Sequence, residues 1–292
     1  MSLKTHLSQL YGRSITQLLI DLRLHYVAVS SGLILLGFFW NNLEGFNWQY
    51  VTLIMSAFFA NLFGFTVNDF YDSPYDSKEN SKNTRNLFCS SNTKWLGKVV
   101  LNASLVLSLV LSGIVSPHIF LIIAFFDFLA FSYSAPPIRL RNRPYWDWIF
   151  IFLWKGLIIF TGYFFFYGIV LPKNPIILGT LAIVLLASLI SQIDNQIRDF
   201  EVDKKTNTTN SAQRLGFHNA SSINRTLLML FYTFSFAFCY FLNLYVTMIL
   251  ILLNASLYFF IKPHKYGHVN KFASIWIVAL FLEHFSTYLS YQ

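Results

Sequence analysis

Three aspartates in one short stretch have the residue type and the spacing needed to hold a metal ion. The stretch NDFYDSPYD, residues 68–76, follows an apolar run at residues 51–67. Asp69, Asp72 and Asp76 are spaced i, i+3 and i+7, which places their carboxylates on one face of a helix. Proteins bind Mg²⁺ through a few carboxylates together with substrate phosphates. The stretch therefore indicates either a magnesium site for a phosphorylated ligand or a solvated acidic turn.

A second acidic cluster lies in the segment DNQIRDFEVDKK, residues 194–205. Asp199 and Asp203 are four residues apart and share a helical face, and Asp194 precedes Arg198 by four, a favourable spacing for an ion pair. Eight of the 13 carboxylates fall in the two clusters: Asp69, Asp72, Asp76 and Glu79, then Asp194, Asp199, Glu201 and Asp203. We expect the two clusters to face one another across one cavity, each holding a divalent ion, with a phosphate-rich anion between them.

Basic residues accompany both clusters. Arg85 follows the first cluster and Arg198 lies inside the second. Because the planar guanidinium group suits phosphate oxygens, we predict that both arginines bind the substrate. Lys204 is a further candidate for substrate binding. The other neighbouring lysines are more simply explained by the charge bias of membrane topology: Lys78, Lys82 and Lys205.

The elements that carry these clusters are predicted to be membrane helices. The 292-residue chain is 55% hydrophobic and only 12% charged, whereas a soluble domain carries roughly 25% charged residues. Backbone groups in lipid must be satisfied internally, so long apolar runs are helices. We predict an all-α polytopic membrane protein, a single domain over residues 1–292 with nine transmembrane helices around a central cavity. The runs lie near residues 24–40, 50–67, 99–115, 118–135, 148–171, 176–193, 226–242, 244–261 and 272–290.

The basic residues orient the predicted helices. Nineteen of the 21 Lys and Arg residues fall in alternate connections, namely residues 1–23, 68–98, 136–146, 194–225 and 262–271. The positive-inside rule then places the N-terminal lead-in (1–23) and the two loops with chemistry (68–98 and 194–225) in the cytoplasm. The C-terminus lies on the opposite side of what we expect to be the cell inner membrane. The net charge of +8 is thus mostly a topology signal, which argues against nucleic acid as a partner.

Two smaller features complete the architecture. The connection between the seventh and eighth runs is a single residue, Asn243, which predicts an antiparallel helical hairpin. The only cysteines, Cys89 and Cys239, indicate neither a disulfide framework nor a cysteine-based zinc site.

The motifs resemble those of the UbiA superfamily of intramembrane prenyltransferases. That family carries N-D-x-x-D-x-x-x-D after its second helix, which here is NDFYDSPYD, and D-x-x-x-D after its sixth, which here is DFEVD at residues 199–203. A family segment after the fourth helix is similar to YSAPPIRLR at residues 133–141, and TNSAQRLG resembles the usual ending of the second motif. The loop after the first motif reads NTRNLFCSS, where many members have Arg-Pro and a glycine. The resemblance covers nearly the whole chain.

The resemblance implies a Mg²⁺-dependent transfer of an isoprenoid chain from a polyprenyl diphosphate to a lipid-soluble or aromatic acceptor. Two Mg²⁺ ions would neutralise the leaving diphosphate, and a Phe-rich pocket would exclude water from the allylic cation and stabilise it. By this resemblance Asn68 joins Asp69, Asp72 and Asp76 at the first metal, and Asp199 and Asp203 hold the second. The catalytic residues would be Asp72, Asp199 and Tyr133. Arg85 would clamp the diphosphate, and Tyr133, Arg139 and Arg141 would line the mouth of the site.

Two other functions fit the same sequence. A related enzyme would keep the fold and the metals but use a phosphoribosyl donor and a polyprenyl phosphate acceptor. A membrane transporter would use intramembrane carboxylates for coupling ions, although such groups usually lie at mid-membrane rather than at one face. The acceptor is open among an aromatic ring, a glycerol phosphate lipid and a carotenoid end.

Ionisable residues also occur inside the predicted spans, where such groups are costly and usually paired or functional. They are Asp127 in the fourth span, Lys155 in the fifth, and Glu283 with His284 in the ninth. Asp127 and Lys155 lie at similar depths, roughly 10–12 Å from the cytoplasmic boundary at ~1.5 Å per residue. We predict that they form an ion pair below the active site, the alternative being that Lys155 meets the acceptor.

Overall fold

The computed structural model describes residues 15–39, 47–78, 80–173, 175–206 and 208–260, and the regular secondary structure of these residues is helical. We number the helices in chain order. They are α1 (Ile15–Asp21), α2 (Leu24–Gly32), α3 (Ile34–Phe39), α4 (Trp48–Asp76), α5 (Asn80–Asn83), α6 (Lys94–Val115), α7 (Pro117–Ser134), α8 (Trp146–Tyr167), α9 (Pro175–Arg198), α10 (Phe200–Lys205), α11 (Ser211–Leu215), α12 (Phe217–Phe241) and α13 (Tyr245–Phe260). A single 3₁₀ turn covers Leu140–Asn142.

Five of the described helices are long and apolar enough to cross a membrane: α4, α6, α7, α8 and the Ile177–Arg198 part of α9. Two shorter apolar segments, Leu24–Gly37 and Tyr245–Ser256, correspond to the first and eighth predicted runs. The all-helical prediction is confirmed. The count of nine spans stays a prediction, and the ninth run, with Glu283 and His284, lies outside the described residues.

The chain divides into two compact units. The first unit contains the residues up to Arg141 together with Leu153–Leu171. In it α4 packs against α6, α7 and α2, and the Ser56 hydroxyl of α4 donates to the Ser108 carbonyl of α6 at 2.9 Å. The α8 backbone approaches that of α3 so closely that a Cβ atom on Gly162 would lie 2.1 Å from the Ile34 carbonyl oxygen. Glycine is therefore required at this crossing.

The second unit contains Asn142–Phe152 and the residues from Pro172 onward. Its core joins α9, α12 and α13 through buried side chains: Ile183, Ile190, Leu228, Phe231, Tyr232, Cys239, Leu244 and Ile251. Asn243 adopts a left-handed φ of 57° between α12 and α13, and asparagine tolerates that conformation better than most residues. The predicted helical hairpin at Asn243 is confirmed, because α12 and α13 pack against each other.

Helix α4 continues two turns past the apolar run and therefore carries the whole first acidic motif. Its N-cap, Asn47, accepts a hydrogen bond from the Gln49 backbone N–H at 2.9 Å. Pro74 lies inside the last turns and cannot donate to the Phe70 carbonyl oxygen. The Ser73 hydroxyl donates to that oxygen instead, at 2.9 Å, so the helix keeps its path to Asp76.

The predicted ion pair between Asp127 and Lys155 is wrong. Asp127 Oδ2 accepts from the Ser108 hydroxyl of α6 at 2.6 Å, whereas Lys155 Nζ donates to the Ser30 hydroxyl of α2 at 2.7 Å. Depth and chain adjacency suggested the pair, but the rotation of each helix about its axis decides its contacts. Here Asp127 faces α6 and Lys155 faces α2.

Candidate active site

The first acidic motif forms a buried carboxylate stripe on α4, the helix that ends at Asp76. Asp69 and Asp72 are only 8% and 7% exposed, and Asp76 is half-buried. Asn68 donates through Nδ2 to Asp72 Oδ2 at 3.0 Å and accepts through Oδ1 from the Ser134 hydroxyl at 3.2 Å. Asn68 therefore orients Asp72 and ties α4 to the end of α7.

Arginines neutralise this stripe. Arg23, between α1 and α2, contacts Asp69 with Nη2 at 2.6 Å from Oδ1. Arg141 forms an ion pair with Asp72, and Arg139 Nη2 lies 4.0 Å from the same Asp72 oxygen, Oδ1. Because unpaired buried carboxylates are costly, these arginines make a buried acidic stripe compatible with a stable fold.

Two of these arginines have backbone conformations that L-residues seldom adopt. Arg23 has φ 52° and Arg139 has φ 39°, both in the left-handed region. Such a conformation costs roughly 1–3 kcal/mol and persists only where surrounding contacts hold it. Arg139 is held by Tyr75, whose hydroxyl accepts from Nη1 at 3.2 Å and whose ring centroid lies 5.0 Å from the guanidinium carbon.

The loop after α5 completes the first motif. Asn86 Nδ2 donates to Asp76 Oδ2 and to the Asp69 carbonyl oxygen, each at 2.8 Å. Arg85 is close enough to Asp69 to interact with it by charge, and its buried Nε has no hydrogen-bond partner in the described part of the chain. This loop, NTRNLFCSS, lacks the Arg-Pro and glycine that many UbiA members have there. It nevertheless positions the amide of Asn86 and the guanidinium of Arg85 at the carboxylates.

The pKa of Cys89, on the same loop, is affected by these carboxylates. Its Sγ lies 3.5 Å from the Ser73 carbonyl oxygen. Burial, and then the negative charges of Asp76 and Asp69, raise the pKa of the Cys89 thiol. The thiol is therefore less reactive than an exposed cysteine at neutral pH.

The second acidic motif lies where α9 gives way to α10. Asp199 occupies the break, and the Asp203 backbone N–H donates to its carbonyl oxygen at 2.8 Å, which preserves the helical i, i+4 relation. Asp203 Oδ2 accepts from Asn210 Nδ2 at 2.6 Å. Arg198 pairs with Asp194 at 3.5 Å, as its spacing predicts, and the side chain of Arg198 is 52% exposed. Lys204 is exposed.

A buried aspartate outside both motifs organises the second one. Asp147, in the first turn of α8, is fully buried. It accepts from Gln196 Nε2 of α9 at 2.5 Å, from the Ser211 N–H at 2.9 Å, and from the Ser211 hydroxyl. Trp148 Nε1 donates to the Gln196 side-chain oxygen at 3.1 Å. This network fixes α11 and the end of α9, the two elements that flank Asp199 and Asp203.

The comparisons with known proteins now identify the family. The sequence matches the model of the UbiA prenyltransferase family over residues 30–282. The chain belongs to the UbiA prenyltransferase family. A comparison with curated protein sequences finds no match.

Solved structures of UbiA homologues share the fold of this chain. One is the UbiA homologue from Archaeoglobus fulgidus bound to GPP and Mg²⁺, with a TM-score of 0.67 and 19% identity, covering 92% of this chain and 98% of that chain. Another is the apo UbiA homologue from Aeropyrum pernix K1, with a TM-score of 0.65 and 13% identity, covering 88% of this chain and 95% of that chain. A digeranylgeranylglyceryl phosphate synthase aligns with a TM-score of 0.60 and 19% identity, covering 93% of this chain and 97% of that chain. The helical membrane architecture of this UbiA family member follows from the family and its apolar helices.

The donor set of this UbiA family member fits a magnesium ion that is shared with a phosphate ligand. Within the described residues, no three His, Cys, Asp or Glu side chains converge as a ready-made metal cage. Mg²⁺ does not need such a cage, because it is usually held by one or two carboxylates plus substrate phosphates and water. Asp72 Oδ1 is buried and accepts no hydrogen bond, its contacts being the ion pairs with arginine. A hard oxygen donor is thus present at the site.

The structure assembles most of the residues predicted at the first motif of this UbiA chain and adds others. Asn68, Asp69, Asp72, Asp76, Arg85, Arg139 and Arg141 all lie in the first unit around one stripe. Tyr133 is half-buried at the end of α7, and its catalytic role stays a prediction, as does the sharing of one cavity by the two motifs. Four residues of the site were not predicted: Arg23, Asn86, Ser134 and Asp147. Arg23 and Asp147 lie outside the motifs, whereas Asn86 and Ser134 lie in the segments NTRNLFCSS and YSAPPIRLR, where the sequence does not show which side chains they contact.

Proposed function

We propose that this chain is an intramembrane prenyltransferase that moves an isoprenoid from a polyprenyl diphosphate to a lipid-soluble or aromatic acceptor. The observation that carries the proposal is the pairing of the buried Asp69 and Asp72 carboxylates with arginine guanidinium groups. Such a site offers oxygen donors to a metal and planar donors to phosphate at once. A UbiA homologue of the same fold binds GPP and Mg²⁺, which supports this donor class and this cofactor.

The proposed reaction is a substitution at the first carbon of the isoprenoid. The bond from that carbon to the diphosphate oxygen breaks, and its electron pair leaves with the diphosphate. A nucleophilic atom of the acceptor then supplies the electron pair of the new bond, and the acceptor loses a proton. Mg²⁺, when bound, supplies positive charge that stabilises the leaving diphosphate.

The residues of this chain would bind the metal ions and the diphosphate and would exclude water. Asp69, Asp72 and Asp76 would hold one metal ion together with Asn68, and Asp199 and Asp203 would hold the second. Arg23, Arg85, Arg139 and Arg141 would bind diphosphate oxygens, and Arg198 and Lys204 stay candidates for that role. Aromatic rings in the first unit would shield the allylic cation from water. Phe65, one turn below Asp69, lies 5.8 Å from the ring of Trp154.

The test is product formation by purified protein in lipid nanodiscs, supplied with Mg²⁺ and geranyl diphosphate. A membrane lipid extract provides the acceptor, and mass spectrometry detects the prenylated products. Asp72→Ala and Asp199→Ala are each expected to lower product formation by about 100-fold or more, since each removes a group that stabilises the transition state. Glu201→Gln is the matched control, because Glu201 is an exposed carboxylate between the two second-motif aspartates.

Circular dichroism and thermal unfolding should show that all three variants are folded. Wild-type turnover in Asp72→Ala or Asp199→Ala would contradict the metal-binding roles. Equal loss in Glu201→Gln would show that the effect comes from net negative charge rather than from the motifs.

Two alternative functions are separated by further assays of the purified protein. Turnover with a phosphoribosyl donor and a polyprenyl phosphate, but not with geranyl diphosphate, would favour the related phosphoribosyl transferase. Transport of a solute into proteoliposomes without any product would favour a transporter.

A further inference from the structure

Lys155 is a cation of the first unit to which the proposed diphosphate chemistry gives no role. It lies in the middle of α8, a helix long and apolar enough to span a membrane. Its Nζ donates to the Ser30 hydroxyl at 2.7 Å and lies 5.5 Å from the ring centroid of its neighbour Trp154. Neither partner carries a negative charge. A charged group at such a position is costly unless an anion accompanies it.

The described acids do not supply that anion. Asp127, the acid predicted to pair with Lys155, is hydrogen-bonded to Ser108 instead. Among the described residues, no carboxylate oxygen lies within 4.0 Å of the Lys155 ammonium, whereas ion pairs of that length occur elsewhere in the chain. An ammonium has three donors, and Ser30 takes one of them.

Contacts place this ammonium below the first acidic motif. Asp69 and Phe65 are one turn apart on α4, about 6 Å along the helix axis. The Phe65 ring lies 5.8 Å from that of Trp154, beside which Lys155 Nζ is found. On α2, Ser30 is seven residues, about 10 Å, beyond Arg23, the partner of Asp69. Two independent paths thus reach Lys155 from the carboxylate stripe.

We propose that Lys155 binds the anionic group of the prenyl acceptor, which would make the acceptor an amphipathic anion: an apolar body that carries a carboxylate or a phosphate. The inference rests on the proposed prenyl transfer. An uncompensated ammonium beside the route of an allylic cation would repel it, whereas a bound anion removes that repulsion. The Ser30 hydroxyl fixes the ammonium, and its two remaining donors match two oxygens of a carboxylate or phosphate.

The test measures binding of matched probes to the full-length protein in nanodiscs. One pair is aromatic, 2-naphthoate and the neutral 2-naphthamide; the other is lipidic, oleoyl lysophosphatidate and the neutral monooleoylglycerol. Wild-type protein is expected to bind the anion of one pair at least about tenfold more tightly than its neutral partner, because charged hydrogen bonds are worth more than neutral ones. The pair that shows the preference identifies an aromatic acid or a phosphate lipid as the acceptor class.

Variants assign the preference to Lys155. Lys155→Met should abolish it while leaving the neutral probes bound as before, and Lys155→Arg should retain most of it. Lys98→Met, at an exposed lysine of α6, should behave as wild type. A wild-type protein without anion preference, or a preference that survives Lys155→Met, would overturn the proposal.

Two further measurements keep the outcomes distinct. Mg²⁺-dependent binding of geranyl thiolodiphosphate, a non-reactive donor analogue, is measured on the same samples. Its absence in wild type would count against the proposed function, whereas its presence without anion preference would count against Lys155 alone. Glu283→Gln tests the acid of the ninth predicted span. If this variant and Lys155→Met lower the unfolding temperature equally and no anion preference is seen, Glu283 is the counter-ion and the proposal is wrong.

Discussion

Arg23 is paired with Asp69, a residue proposed to hold a metal ion, so replacing Arg23 should affect metal and diphosphate binding in opposite directions. In Arg23→Gln the competing positive charge is lost, and divalent metal alone should bind more tightly. The diphosphate group loses a guanidinium donor, and the donor analogue alone should bind more weakly. A purely structural arginine would instead weaken both ligands when removed.

The size of the effect follows from the contact. Arg23 Nη2 lies 2.6 Å from Asp69 Oδ1, and the two side chains are 17% and 11% exposed. With charge centres about 4 Å apart at an effective dielectric constant of about 20, the direct attraction is about 4 kcal/mol. Much of this is offset by solvation and by the other charges. A net change of 1–2 kcal/mol, roughly 5- to 30-fold in affinity, is the expected range for coupling between two sites.

The assay is titration of Mn²⁺, as a magnetic substitute for Mg²⁺, followed by electron paramagnetic resonance with and without geranyl thiolodiphosphate. In wild type the analogue should tighten Mn²⁺ binding about tenfold or more, because arginines that bind the phosphate release the carboxylates to the metal. By thermodynamic reciprocity, Mn²⁺ should increase the affinity for the analogue by the same factor. Arg23→Gln should reduce this coupling. Arg225→Gln, at an exposed arginine of α12, is the control. If Arg23→Gln weakens Mn²⁺ and analogue alike, or leaves their coupling unchanged, the reasoning is refuted.

Two other predictions follow from contacts near the motifs. Asp147→Asn should lower the free energy of unfolding by about 3 kcal/mol, because it removes a buried charge that accepts several hydrogen bonds. Thermal unfolding in detergent measures this change, and an unchanged unfolding temperature would contradict the prediction. Asp76→Asn should speed alkylation of Cys89 at pH 8, because losing that negative charge lowers the pKa of the thiol and raises the thiolate fraction. Mass spectrometry separates Cys89 from the fully buried Cys239, and a slower or equal rate at Cys89 would show that Asp76 does not control it.

Local spacing predicted those parts of the site that one helix builds by itself. The i, i+3, i+7 pattern of Asp69, Asp72 and Asp76 needs only the continuation of α4, and the structure supplies it. The ion pair of Asp194 with Arg198 is likewise local, one helical turn. In such cases the geometry of the helix converts sequence separation directly into distance.

The rest of the site depends on contacts that no local pattern encodes. Arg23 and Asp69 are 46 residues apart, and Asp147 and Ser211 are 64 residues apart. These partners meet only because of how helices pack and rotate. The predicted pair of Asp127 with Lys155 is wrong for the same reason, since sequence position gives a distance along a helix but not the face that a residue presents.

Charge balance explains why the arginines belong to the site rather than merely to its surroundings. Around the first motif, four arginines (Arg23, Arg85, Arg139 and Arg141) accompany three aspartates. Lys82 adds a further positive charge near Asp76, so positive charge is in excess among the described residues of this region. A divalent ion would increase that excess, so metal alone is disfavoured, whereas a multiply charged diphosphate would offset it. The most favourable occupied state is therefore the one that holds both together. Metal and donor should accordingly bind as a unit, and the carboxylates should be released to the metal only when a diphosphate is present to take the arginines.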